Sequence, residues 1–194
     1  MPQVYHRKSS FVLASSSPRR AELLTRAGYV FESVPANIDE SQFENEIPEN
    51  YVRRLSAAKA ETVGRRLPEC FVLGADTSVV INHEILGKPK DADDAERMLR
   101  ELSGNVHQVY TGVALRCGEE VVSSVVMTFV RLVQLDEETI KWYVSTGEPS
   151  DKAGGYGIQG IGSRFVQEIR GSYSNVVGLP LVQVERLFKE FPKH

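Results

Sequence analysis

Two runs of consecutive apolar residues, "FVLAS" from Phe11 and "FVLGADTSVV" from Phe71, limit this chain's options more than any other feature. Neither alternates strictly with polar residues, so as strands they read as buried on both faces, with helices covering a sheet. Helical spacing appears between and after them. Ser17 can cap a helix that carries Pro18 in its first turn and stops at Gly28. Ala92, Ala95, Met98, Leu99 and Leu102 keep a 3.6-residue period before Ser103-Gly104. The class is therefore α/β, a mixed sheet flanked by helices.

The remaining pattern fills in that class. "YVFESV" reads as a second strand, and a helix is expected over Glu49 to Leu67. The second apolar run is expected to be a short strand ending at a polar corner, Asp76. Val79 to Leu86 reads as a hairpin turning at Asn82 and His83. Val106 to Arg116 and Val121 to Leu132 are expected as long antiparallel strands joined by "CGEE". A helix over Asp136 to Thr146 is stopped by Gly147. A glycine-rich loop, a strand "RFVQEI", a turn "RGSYS" and a helix from Pro180 follow. No internal repeat or linker is visible, so residues 1–10 are expected as a loose tail and 11–194 as one unit.

Bulk chemistry excludes several roles. With 23 basic and 26 acidic residues the formal charge is −3, so no basic footprint for nucleic acid dominates. No apolar run reaches the length of a membrane span. Cys70 and Cys117 form no CxxC pair, which suits a reducing, cytoplasmic setting. His6, His83, His107 and His194 are scattered without zinc spacing, and neither a GxSxG elbow nor a P-loop is present.

Some residues stand out of place. Ser15, Ser16 and Ser17 run into Arg19 and Arg20 at a strand-to-helix corner. A helix N-terminus with hydroxyls and guanidinium groups suits phosphate, and cations there oppose the helix dipole otherwise. Lys59 falls within the apolar stripe of Val52, Leu55 and Val63. It either snorkels to the edge of the core or reaches an anion in a cleft. Asp76, with Thr77 beside it, follows a buried apolar run, where α/β sheets tend to form ligand crevices. Glu40 in an acidic loop and Lys88 in a turn carry little signal alone. "GGYGIQG" matches GxGxxG, but a strand pattern follows it instead of a helix, so a dinucleotide site is not expected. Its glycines instead permit close approach of backbone to a ligand, with Gln159 able to read a base edge. Carboxylates, lysines, arginines and hydroxyls together suit oxygen-ligated Mg²⁺ or Mn²⁺ holding a polyphosphate for attack by water.

The blocks "LASSSPRRAELL", "DE" at Asp39-Glu40, "AAKA", "LGADT", "LGKP", "YTGVAL", "DKAGGYGIQG" and "VVGLPL", in that order, resemble the Maf family. The resemblance implies an elongated twisted sheet like that of the inosine triphosphate pyrophosphatases, with a central cleft, and commonly a homodimer. It implies a nucleoside triphosphate pyrophosphatase that cleaves between the α and β phosphates with Mg, Mn or Co. Arg19, Thr77 and Gln159 match the branch acting on dTTP and UTP, whereas the 7-methyl-GTP branch carries an aromatic residue after "SP". Carried over by motif, Asp76 is the proton acceptor, Glu40 and Asp76 hold the metal, and Ser15, Arg20, Lys59 and Lys88 grip the triphosphate. The resemblance thus puts Lys59 on the cleft side of its helix. Two alternatives accompany this reading: a regulatory binding protein inhibiting septum formation, and a pyrophosphatase with another base preference.

Overall fold

In the computed structural model, which describes residues 10–192, the first apolar run forms β1 (Phe11–Leu13), with every side chain buried. The expected tail over 1–10 lies, apart from Ser10, outside the described residues. The corner then enters α1 (Pro18–Arg26). Ser17 is its N-cap residue but makes no side-chain cap bond, while Pro18 opens the helix as expected. Gly28, at φ 81°, turns the chain out of it. Strand β2 (Phe31–Ser33) returns parallel to β1.

Helix α2 (Pro48–Gly64) is three residues shorter than expected at its C-terminal end. The strand after it, β3 (Val72–Ile81), is longer than expected. It does not stop at Asp76, because β5 (Val106–Cys117) pairs with it from Val72↔Arg116 to Val80↔Gln108 and satisfies its backbone through the polar residues. What ends β3 is the hairpin into β4 (Glu84–Leu86), where Asn82 and His83 both take positive φ, 50° and 68°. Helix α3 (Ala92–Leu102) follows, capped by Asp91, whose carboxylate accepts from the Asp94 N–H at 2.8 Å.

Strand β6 (Glu120–Leu132), helix α4 (Glu137–Ser145), strand β7 (Val166–Arg170), helix α5 (Tyr173–Val177) and helix α6 (Leu181–Glu190) complete the order. Short 3-10 turns occupy the glycine-rich region. Phe165 belongs to the last of them and not to β7, because it is buried edge-on against Tyr143. The expected turn "RGSYS" instead leads into α5, since Ser172 accepts the Asn175 N–H and caps it.

The sheet has seven strands in the order β2-β1-β3-β5-β6-β7, with β4 also on β3. Only the β1 pairings are parallel. The mixed α/β class is therefore observed. Alternation along β3 sorts its neighbours. Val72 packs with Ala60 and Val63 of α2 on one face, while Leu73 and Ala75 pack with α1 and α6 on the other. Helix α2 rests almost directly on the sheet backbone. A Cβ on Gly74 would lie 2.1 Å from the Ser56 carbonyl oxygen, and one on Gly112 would lie 2.2 Å from that of Val52. This close approach brings Lys59 down onto β3.

Candidate active-site cleft

Strands β1 and β4 share one edge of β3, but β1 pairs with it only as far as Leu73 and β4 pairs with it only from Val79 onward. Between them the edge of β3 is open. A cavity of about 550 Å³ forms there, lined by the β1–α1 corner, α2, the middle of β3, the turn after β4, and the glycine loop. All nine residues singled out in the sequence line it: Ser15, Arg19, Arg20, Glu40, Lys59, Asp76, Thr77, Lys88 and Gln159.

At its centre Lys59 does not snorkel outward. Its side chain is buried and its Nζ donates to Asp76 Oδ1 at 2.7 Å and lies 2.6 Å from Glu40 Oε1. Burial pushes the Asp76 carboxyl above the ordinary aspartate range, while the charges of Lys59 and Arg20 pull against it. For half-buried Glu40 the balance reverses. Desolvation raises it, but the hydrogen bond and charge of Lys59 outweigh that and hold it low. Lys88, exposed at the rim, adds to the same pull.

Arg20 is buried on the other face of β3. It donates through Nε to the Gly178 carbonyl at 2.8 Å, through Nη1 to Ser15 Oγ at 3.1 Å, and through Nη2 to Thr77 Oγ1 at 3.1 Å. These bonds fix the plane of the guanidinium and leave one N–H on each terminal nitrogen, a fork suited to phosphate oxygens. Thr77, adjacent to Asp76 in sequence, points to the opposite face and bonds Thr111 at 3.0 Å. Arg19 pairs with Asp151 at 2.8 Å, across the mouth of the cleft. Gln159 is exposed on the glycine loop.

Several residues that shape the cleft were not singled out from sequence. Asp151 anchors Arg19 and is held down to about 2: burial opposes this, but Lys152 and Arg19 outweigh it. Tyr51 donates to the Glu40 carbonyl at 2.9 Å and so ties the acidic loop to α2. Tyr156, which lines the cavity, bonds the buried His107 at 2.7 Å. Asp151 lies within the block "DKAGGYGIQG", so its neighbourhood was visible but its partner was not.

No group of three or more His, Cys, Asp or Glu side chains among the described residues could enclose a metal. Two carboxylates nevertheless meet at one point, beside Lys59 Nζ. That donor set fits a hard cation such as Mg²⁺, which is commonly held by one or two carboxylates with substrate phosphates and water completing its shell.

An α/β cleft with buried cations on both faces of one strand, and oxygen ligands between them, defines a site for a polyanion. The comparisons narrow that class. The family model described as "Maf-like protein" matches residues 10–191, and the chain belongs to the Maf family. Relatives named dTTP/UTP pyrophosphatase include one from Shewanella denitrificans, 51% identical and covering 92% of this chain and 94% of its own. One from Geotalea uraniireducens is 52% identical, covering 91% and 92%, and one from Shigella dysenteriae is 48% identical, covering 94% and 93%. Among solved structures, the Staphylococcus aureus Ham1 protein superimposes with a TM-score of 0.46 at 14% identity, covering 64% of this chain and 72% of that one.

Proposed function

We infer that this chain is a nucleoside triphosphate pyrophosphatase, hydrolysing dTTP and UTP to the monophosphate and pyrophosphate. The observation that carries the reading is the cluster in which Lys59 bridges Glu40 and Asp76 while Arg20 is locked on the far face of the same strand. The names of the half-identical relatives supply the reaction and the bases. Residues 11–194 act as one catalytic unit, and the family resemblance adds a homodimer.

Phosphoryl chemistry asks a protein mainly for positioning and charge neutralisation. Arg20, Lys59 and Lys88 neutralise the triphosphate, with Ser15 donating from the corner. Asp76 accepts the proton of a water whose oxygen bonds to the α-phosphorus. The bridging P–O bond breaks, and pyrophosphate leaves with the electron pair. An Asp raised by burial is a stronger base than an exposed one, which suits that role. Glu40 and Asp76 would hold Mg²⁺ or Mn²⁺, which when bound polarises phosphate oxygens and lowers the pKa of bound water. Arg19, Thr77 and Gln159 set base preference. Thr77 acts through the Arg20 it fixes, and Gln159 acts from the loop.

Incubation with dTTP, UTP, CTP, GTP and ATP in Mg²⁺ or Mn²⁺, with products read by phosphorus NMR, tests this. Pyrophosphate and monophosphate from dTTP and UTP in preference to the others are expected. Release of orthophosphate would reject the reaction type.

A further inference from the structure

Gly157, Gly160 and Gly162 form a loop that resembles a phosphate cradle, yet its backbone donors are already engaged by a side chain of the protein. Glu148 Oε2 accepts the Ile161 N–H at 2.7 Å, and Oε1 accepts the Gly162 N–H at 3.0 Å and the Tyr143 hydroxyl at 2.8 Å. The Tyr143 hydroxyl in turn accepts the Gly157 N–H at 3.1 Å. Successive backbone N–H groups make an anion nest, and here the anion is internal.

The glycines are needed for that embrace. A Cβ on Gly160 would lie 2.3 Å from Glu148 Oε2, and one on Gly162 would lie 2.6 Å from the Tyr143 hydroxyl. Gln159, inside this loop, faces the cavity, whereas Glu148 is not among the residues lining it. The carbonyl of Glu148 also accepts Lys152 Nζ at 2.7 Å, and that amine lies 2.6 Å from Asp151, the partner of Arg19. One short segment thus braces both Gln159 and Arg19.

We propose that Glu148 is a positioning residue for base selection, its carboxylate holding the 157–162 loop in the shape that presents Gln159 to the nucleotide. This rests on the pyrophosphatase reading and on the role it gives Gln159. Partial burial raises the Glu148 carboxyl, but the two N–H groups and the Tyr143 hydroxyl outweigh it and keep it ionised at neutral pH. A neutral amide there cannot do the same work, since its NH₂ group would face one of the backbone donors.

The test uses Glu148→Gln and, as a milder change that keeps the ring packed on Phe165, Tyr143→Phe. For Glu148→Gln, KM for UTP is expected to rise about tenfold, kcat to hold within about twofold, and the preference for UTP over GTP to fall by a similar factor. The inhibition constant of inorganic tripolyphosphate, which has no base, is expected to stay within about twofold. Tyr143→Phe is expected to shift the same quantities in the same direction by less, and it decides the matter if Glu148→Gln does not fold. Unchanged preference in the folded variants, or an equal loss towards tripolyphosphate, would overturn the proposal. Calorimetric binding of α,β-methylene analogues of UTP and GTP separates the two readings. If the unaltered protein binds the UTP analogue in preference to the GTP analogue yet turns over neither UTP nor dTTP, the reaction assignment fails while the positioning role is still measured.

Discussion

Lys59 is the buried cation that joins the two carboxylates of this site. Burying an ammonium group costs several kcal/mol unless it is paired, and here two carboxylates within 2.7 Å supply the pairing. The same bonds hold in place the Asp76 carboxylate, the base of the proposed mechanism. Lys59→Met is therefore expected to lower kcat/KM by roughly a hundredfold or more, since it removes a cation to which the proposed mechanism gives the neutralising of the triphosphate. Far-UV circular dichroism should show the fold retained. The substitution also leaves the Asp76 carboxylate buried without its nearest cation, a loss on the order of 3 kcal/mol. Adding Asp76→Asn should recover most of that stability in urea titrations while lowering activity further. Stability that drops further in the double variant would show that the pair is not coupled.

At the scale of elements, the decisive relation is α2 lying on the backbone of β3 and β5. Gly74 and Gly112 permit it, because neither tolerates a Cβ under the helix carbonyls. Gly74→Ala is expected to lift α2, destabilise the protein by about 1–3 kcal/mol as an overpacking change, and reduce turnover by moving Lys59 away from Asp76. Gly87→Ala, with nothing within 4 Å of the added carbon, should change stability by less than about 0.5 kcal/mol. Denaturation midpoints of the two variants check the difference. The break between β1 and β4 along one edge of β3 is the other element-level feature, for it opens the sheet where the polar residues lie.

Over the whole molecule, stability and site are linked through the buried His107, which joins β5 to Tyr156 of the glycine region. Burial lowers its pKa from 6.5 to about 4. The unfolded chain therefore takes up a proton that the folded protein excludes. Stability from this group is complete above about pH 6.5 and is lost as pH falls towards 4, at up to about 1.4 kcal/mol per pH unit. His107→Gln should flatten that slope between pH 7 and pH 5 in urea titrations. A slope unchanged in the variant would assign it to other groups. The sequence by itself determined the α/β class, the hairpin at Asn82-His83, most helices, and nine of the residues that line the cleft, in part through family resemblance. Periodicity and turn chemistry are local properties that a linear pattern records. It did not determine where β3 ends, nor that Asp76 and Thr77 serve opposite faces. It also left unseen that Arg19 meets Asp151 and that the glycine loop closes on Glu148. Those depended on strand order, register and segments brought together from distant parts of the chain, which no local pattern encodes.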